Sequence, residues 1–288
     1  MLSAFSSTFK IPELRQRILF TLGLIFICRI VTSVPSPGVD ARALQMVIAE
    51  MQNRVGGAFL GWIDLFSGGA LSKCAVGALS IWPYISASII LQLMTAVIPA
   101  LEKLAREGES GRQKLTQYTR YLALVICVVQ GFFLAVSLEN PGALGITRQI
   151  VQNPGWGFRL LTIVTMSTGT MLLMWLGEQI TERGIGNGIS LVIMINIVSR
   201  MPQALFAATN MFQEVDGVRQ FTVFHLIGLV LLIFLVTAGT VALTQGQRKI
   251  PVHTAKRVVG RKVYGGQNTY MPLRVNYSGV MPIIFAGA

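Results

Sequence analysis

Side-chain chemistry needs partners at short range, and the residues of this chain that could supply it are few and scattered. His225 and His253 are the only histidines, and no carboxylate falls well inside an apolar run. An acid/base or metal constellation is therefore not expected, nor is an enzyme, and nothing in the sequence asks for a cofactor. Cys28, Cys74 and Cys127 lie far apart in or beside apolar segments and read as unpaired thiols of a reduced or lipid environment. Gly184-x-Gly-x-Gly is no dinucleotide fingerprint, because it lacks the preceding strand and the third-glycine spacing.

The chemistry that stands out is a polar stretch next to an apolar one. From Asp64 to Gln92 the chain mixes Asp64, Lys73, Gly68-Gly69 and several serines into a moderately apolar peptide, then turns apolar enough to enter a bilayer. Such a backbone can sit at membrane depth only where protein or a water-filled cavity satisfies it, which describes a re-entrant segment beside a pore. An external loop ahead of a helix would read the same way.

Composition places these residues in a membrane protein. Hydrophobic residues make up 52% of the chain, charged residues only 12%, and the mean hydropathy is +0.61. No cleavable signal peptide is expected, since the first apolar run meets Pro35-Ser-Pro-Gly instead of a small-residue cleavage site. The expected class is an all-α polytopic membrane protein with six complete spans and the start of a seventh. An interfacial amphipathic helix over 1–17 precedes spans at 18–34, 79–100, 121–138 and 160–176, one beginning at Ile189, and one at 221–243. Pro35 and Pro37 should end the first span. Arg29, near its far end, is expected to snorkel to the interface, the alternative being a buried partner. A polar connection fills 35–63, a solvated basic loop 101–120, and a glycine-broken hairpin 177–188. On a helix Ile81, Ile85, Ser88 and Gln92 share one face, which turns from apolar to polar along its length. The run 278–288 stops inside a span, so the sequence is expected to be a fragment.

Charge sets the topology. Alternating crossings put the N-terminus, 101–120, 177–188 and 244–276 on one side with 16 Lys plus Arg, against 7 on the other, and the rich side should be cytoplasmic. The 244–276 loop holds seven of these cations and no carboxylate. Alternation in Lys262-Val-Tyr and in 270–275 allows a short hairpin with Gly265-Gly266 near its bend.

Several long motifs carry a family resemblance: Phe66-Ser-Gly-Gly-Ala-Leu-Ser with Pro83-Tyr-Ile-Ser-Ala-Ser-Ile-Ile; Glu107-Gly-Glu-Ser-Gly-Arg with Gln117-Tyr-Thr-Arg-Tyr; Trp175-Leu-Gly-Glu-Gln-Ile-Thr-Glu-Arg-Gly-Ile-Gly-Asn-Gly; and Ala255-Lys-Arg with Pro272-Leu-Arg-Val-Asn. From about residue 12 onward the chain resembles the bacterial SecY family, the pore-forming subunits of the general protein-secretion channel. The resemblance implies the SecY-type channel fold, about ten spans in two pseudo-symmetric halves, of which this chain lacks everything after the start of the seventh. Residues 1–206 would form the N-terminal half with helices 1–5, and 207–288 the start of the second, with helix 6, the basic loop and the start of helix 7.

The resemblance also implies site residues. A plug at about 64–76 would include Asp64, Phe66, Ser67, Gly68, Gly69, Leu71 and Ser72. Ile81, Ile85, Ile189, Ile193 and Ile284 match the pore ring. Ser86, Ser88 and Gln92 are candidates for the lateral gate, where the second, third and seventh spans should part. Lys256, Arg257, Arg261 and Lys262 match positions that contact the ribosome and the SecA ATPase. Further implied partners are the SecE and SecG subunits, signal peptides, nascent chains and membrane lipids, in the bacterial inner membrane with a cytoplasmic N-terminus. Ile284 lies 11 residues beyond Leu273, about 16 Å along a helix and so near the middle of a ~30 Å core. Ile81 and Ile189 stand at the starts of their apolar runs, and both are central only if the glycine-rich segments before them line water-filled funnels. By pattern alone these isoleucines suit ordinary helix packing. The basic loop by pattern suits phosphate-rich RNA, acidic protein or anionic lipid. The alternative function is a polytopic secondary transporter, which would usually bury acidic residues for its ion.

Overall fold

A computed structural model describes residues 11–52, 61, 64–140, 150–151, 153–212, 223–252, 257–259, 262–264 and 269–276. The chain divides into two compact units, Met1–Leu205 and Phe206–Ala288.

In the first unit, α1 (Pro12–Ser33) opens on a proline, whose missing N–H costs nothing in a first turn, and closes ahead of Pro35. A second helix, α2 (Ala41–Gln52), occupies what the sequence reads as a polar connection. The Asp40 carboxylate accepts from the Ala43 N–H at its start, and Leu44 and Val47 are buried on one face. The chain then runs through 64–81 without a long helix into α3 (Trp82–Val97).

Where the sequence suggests a span to residue 100 and a solvated loop beyond it, the structure has a corner. Pro99 excludes its predecessor from the helical region, and Ile98 is extended at φ −97°, ψ 113°. The helix resumes as α4 (Pro99–Arg106), bent by 102° from α3. Gly108, at φ +81°, then starts α5 (Glu109–Glu139), so most of the basic connection is helical. With 31 residues α5 is about 46 Å long, well beyond a ~30 Å hydrocarbon core.

Against α5 pack both α3 and α6 (Trp156–Arg183), and α6 in turn packs on α1 and on α7 (Gly188–Val198). The α6 helix runs through Gly177 and stops at Gly184, later than the hairpin expected from its glycines. A Cβ on Gly188 would overlap the Gly177 carbonyl oxygen, so this glycine pair sets the close approach of α6 and α7. Two ion pairs join α5 to α6 at opposite ends. Arg120 Nε and Nη2 donate to the two carboxylate oxygens of Glu178 at 3.0 and 2.7 Å. Arg159 donates from Nε to Glu139 at 2.7 Å, and Glu139 also accepts from the Gly155 N–H at 2.9 Å. Glu139 is the last residue of α5 and Glu178 lies in the last two turns of α6, so both carboxylates sit toward helix ends. After α7 comes α8 (Met201–Met211).

The second unit contains α9 (Val223–Gln245) and four short strands. Antiparallel β1 (Gln247–Val252) and β4 (Thr269–Arg274) pair from Gln247↔Arg274 to Val252↔Thr269. Farther out β2 (Arg257–Val259) pairs with β3 (Lys262–Tyr264), with Val259 opposite Lys262. The Gly265-Gly266 expected at the bend lies outside the described residues. The alternation correctly marked β3 and β4, but their partners lie upstream instead of in each other.

By length and composition four described helical stretches could cross a membrane, or five if the bent α3–α4 pair is one span. Of the six spans expected, α1 is the one outside that set; it carries Glu13, Arg15, Arg17 and Arg29 along its 22 residues. The expected seventh begins in residues outside those described.

Candidate functional site

The residues 64–80 fold back between α1 and α7, and nearly every polar group there has a protein partner. A short helical turn ends at Ser67, and Gly68 and Gly69 follow at φ +68° and +85°. The left-handed backbone favours glycine at both positions, and two arginine side chains crowd the space beside them. A Cβ on Gly68 would stand 2.7 Å from Arg29 Nη1, and one on Gly69 2.9 Å from Arg200 Cζ. The turn closes on itself: the Ser72 N–H donates to Asp64 Oδ1 at 2.9 Å, the Gly69 N–H to the Asp64 carbonyl at 2.9 Å, and Ser72 Oγ to the Gly69 carbonyl at 2.9 Å. Ser67 Oγ donates to the Asp64 carbonyl and accepts from the Leu71 N–H. Beyond it the Ser36 N–H donates to the Cys74 carbonyl and the Val76 N–H to the Val34 carbonyl, tying the return path to the end of α1.

Three side chains from outside complete the seat. Asn196 of α7, wholly buried, donates from Nδ2 to the Phe66 carbonyl and to Ser80 Oγ, both at 3.3 Å, and accepts from Arg29 Nη1 at 3.3 Å. Arg200, just past α7, forms an ion pair with Asp64, which is only 2% exposed. Arg29 is half-buried with a specific partner, so the expectation that it snorkels is overturned. The turn needs polar partners that lipid would not supply, and α1 passes beside it. Asn196, Arg200 and Ser80 carried no weight in the sequence reading. A lone amide in the apolar helix 188–198 was the signal available for the first of them.

Of the pore-ring candidates, Ile81 is fully buried and shares one apolar cluster with Ile85, Ile189, Cys28, Leu176 and Val192. Ile193 is half-buried one turn along α7 from Ile189 but outside that cluster, and Ile284 lies outside the described residues. Ile81 is the residue from which α3 starts, its carbonyl accepting from the Tyr84 and Ile85 N–H groups. Ile189 occupies the first turn of α7, capped by the Asn187 side chain. Along the face that continues from Ile81, burial falls steadily: Ile85 and Ser88 are half-buried and Gln92 is exposed, while Ser86 is buried on a neighbouring face. Phe66 leans on Trp82 with ring centroids 6.0 Å apart, joining the folded-back segment to the start of α3. Arg257 begins β2 and Lys262 begins β3; Lys256 and Arg261 lie outside the described residues.

The arrangement has little acid/base capacity. The buried carboxylates Asp64 and Glu139 are each occupied by an arginine, so neither is a ready site for a coupling ion. Among the described residues no group of three or more His, Cys, Asp or Glu could hold a metal.

Long apolar helices around a segment that folds back among them define a polytopic α-helical membrane protein. The sequence model of the SecY family matches residues 75–288. The protein translocase subunit SecY of Streptomyces scabiei is 46% identical over 292 residues, covering 100% of this chain and 65% of its own length. That of Buchnera aphidicola subsp. Acyrthosiphon kondoi is 46% identical over 277 residues, covering 96% of this chain and 74% of the relative. The chain belongs to the SecY family. It spans about 65% of the length of the first of these relatives. Among solved structures, one described as "The structure of a protein conducting channel" superposes with a TM-score of 0.52 at 17% identity, over 94% of this chain and 55% of that one. "Sec61 in the Canine ribosome-channel complex from the endoplasmic reticulum" gives 0.51 at 16% identity, again over 94% and 55%. The fold is therefore that of the SecY/Sec61 channels.

Proposed function

We propose that this chain supplies the N-terminal part of the central subunit of a protein-conducting channel, which passes unfolded polypeptides across a membrane and releases apolar segments sideways into lipid. The observation that carries the reading is the folded-back segment 64–80, a polar turn whose needs are met by Arg29, Asn196 and Arg200 in the midst of apolar helices. In this reading 64–76 is the plug and closes the outer funnel. Ile81, Ile85, Ile189, Ile193 and Ile284 form the constriction, an apolar collar that grips no particular side chain. Ser86, Ser88 and Gln92 face the lateral gate. The 1–206 and 207–288 segments belong to two pseudo-symmetric halves. The membrane is the bacterial inner membrane with the N-terminus in the cytoplasm, favoured by the cation excess on that side.

The double hairpin of the second unit is the docking element. Seven cations without an anionic partner in sequence suit ribosomal RNA or an acidic protein surface, and one solved relative of the fold is itself described as part of a ribosome–channel complex. SecE, SecG and SecA complete the set of partners, with signal peptides and nascent chains as cargo.

The test uses the complete protein. A cysteine at Ser67 or Ser72 should crosslink to residues near the pore axis in the idle channel, and a signal-bearing precursor should crosslink to α3 as it enters. Crosslinks of the signal peptide confined to α1 and α6 would sink the gate assignment. Proton-coupled uptake of a small solute into vesicles, with no precursor translocation, would replace the channel with a transporter.

A further inference from the structure

The segment 64–80 is held by side chains against the preference of its own backbone. Cys74 and Ser80 have φ of +46° and +54° without being glycine, a conformation that persists only where the surroundings impose it. Those surroundings are backbone ties to the end of α1 and three side chains outside the segment: Arg29 on α1, Asn196 on α7, and Arg200 just past it. We propose that Arg29, Asn196 and Arg200 form a latch that sets how readily the segment leaves its seat. The inference rests on the reading of 64–76 as the channel's plug.

Asn196 is the hub. An amide side chain has two N–H donors and one carbonyl acceptor, and here both donors and the oxygen are engaged. Its donors hold the segment at two places, the Phe66 carbonyl before the glycine pair and Ser80 at the exit. Its acceptor fixes Arg29, which lies where a Gly68 side chain would be. Arg200 supplies the counter-charge of Asp64, and Asp64 in turn organises the turn through the Ser72 N–H. The three side chains stand on α1, in α7 and just past the end of α7. Hydrogen bonds lose their strength within a few tenths of an ångström beyond ~3.5 Å, so a small parting of α1 from α7 frees Arg29 from Asn196, and a small shift of the segment off α7 undoes the Asn196 and Arg200 ties together. The strained Ser80 then loses its side-chain partner, while the return path from Cys74 keeps only its backbone ties to the end of α1, and the segment behaves as a two-state element.

In the complete protein with its partner subunits, reconstituted in planar bilayers, ion conductance is recorded in the absence of precursor for Arg200→Gln, Asn196→Leu, Asp64→Asn, the double variant Asp64→Asn/Arg200→Gln, and a deletion of residues 64–72. Each single variant should raise idle conductance about tenfold or more, as expected for loss of a charged or doubly bonded buried contact. The double variant should leak no more than the worse single one, because the two residues share one interaction. Wild-type conductance in Arg200→Gln and Asn196→Leu beside a leaking deletion overturns the latch and leaves the plug reading in place. Wild-type conductance in the deletion as well overturns both. For any variant that fails to accumulate, the milder Arg200→Lys and Asn196→Ser are scored by maleimide labelling of Ser67→Cys. Faster labelling than in the latch-intact background is expected, and an unchanged rate overturns the proposal.

Discussion

Replacing Gly169 of α6 by alanine should destabilise the protein, although alanine is the better helix former. Gly169 sits where α6 meets the return path of the folded-back segment, and a Cβ there would overlap the carbonyl oxygen of Val76. Backbone cannot rotate aside as a long side chain can, so either α6 or the Val76–Gly77 backbone must shift. Overpacking of this kind costs about 1 to 3 kcal/mol. A shift of Val76 also weakens its hydrogen bond to the Val34 carbonyl, now 2.9 Å, for a further ~0.5 to 1.5 kcal/mol. Against this stands the helix preference for alanine over glycine, up to ~1 kcal/mol. With the full alanine preference subtracted the net loss is about 0.5 to 3.5 kcal/mol. Gly23 in α1 is the control, since a Cβ there meets nothing within 4 Å, and Gly23→Ala should be neutral or slightly stabilising. Thermal unfolding of the detergent-solubilised complete protein, with both variants measured in parallel, decides it. A Gly169→Ala variant as stable as Gly23→Ala would refute the reasoning, because it would mean that the segment does not lie against α6 at Val76.

Other perturbations follow from the same contacts. Glu139→Gln leaves Arg159 without its carboxylate; a broken buried pair costs ~3 to 5 kcal/mol, but Arg159 is a quarter exposed and keeps Trp156, 5.1 Å from its ring centroid, so a loss of ~2 kcal/mol is expected in the same unfolding assay. Gly188→Ala, forced onto the Gly177 carbonyl, should separate α6 from α7 and lower stability by at least ~1 kcal/mol; an unchanged melting curve would contradict the close approach. Arg261→Glu with Lys262→Glu in the complete protein should weaken ribosome binding and flatten its salt dependence, and an unchanged affinity and slope would remove those two residues from the docking surface.

What the sequence made legible was decided locally. Pro35 stopped α1, the apolar runs marked α5, α6 and α9, and the period-2 alternation marked β3 and β4. Where one local signal hid another, the reading slipped. Ile98 and Ala100 keep the 79–100 run apolar across a corner that Pro99 makes unavoidable. The 3.6-residue period of Leu44, Val47 and Ile48 was masked by the polar residues around it, so α2 passed as a connection. Glycines 177 and 188 suggested a broken hairpin, but they are the contact between two helices, a property of the pair instead of the chain between them.

The seat of the folded-back segment shows why a site of this kind resists a reading along the chain. Asp64, Lys73 and Gly68-Gly69 announce that the segment needs polar partners, and Arg29 and the amide of Asn196 announce that α1 and α7 do too. Each statement is local; the pairing is not. Asn196 meets Phe66, Ser80 and Arg29 across 130, 116 and 167 residues, and no periodicity carries information over such separations. The packing of α6 against α1 and α7, and of α1 against α7, brings the unmet needs to one point. Once there, each removes the other's penalty, because an arginine or amide facing lipid and a glycine turn without partners are each disfavoured alone. An apolar segment could fill the same space with fewer polar contacts, but it would bind its surroundings by area and leave them gradually. In the proposed reading a turn held by one amide and two arginines, beside its backbone ties to the end of α1, is either seated or free, the behaviour that a closure between idle and occupied states requires.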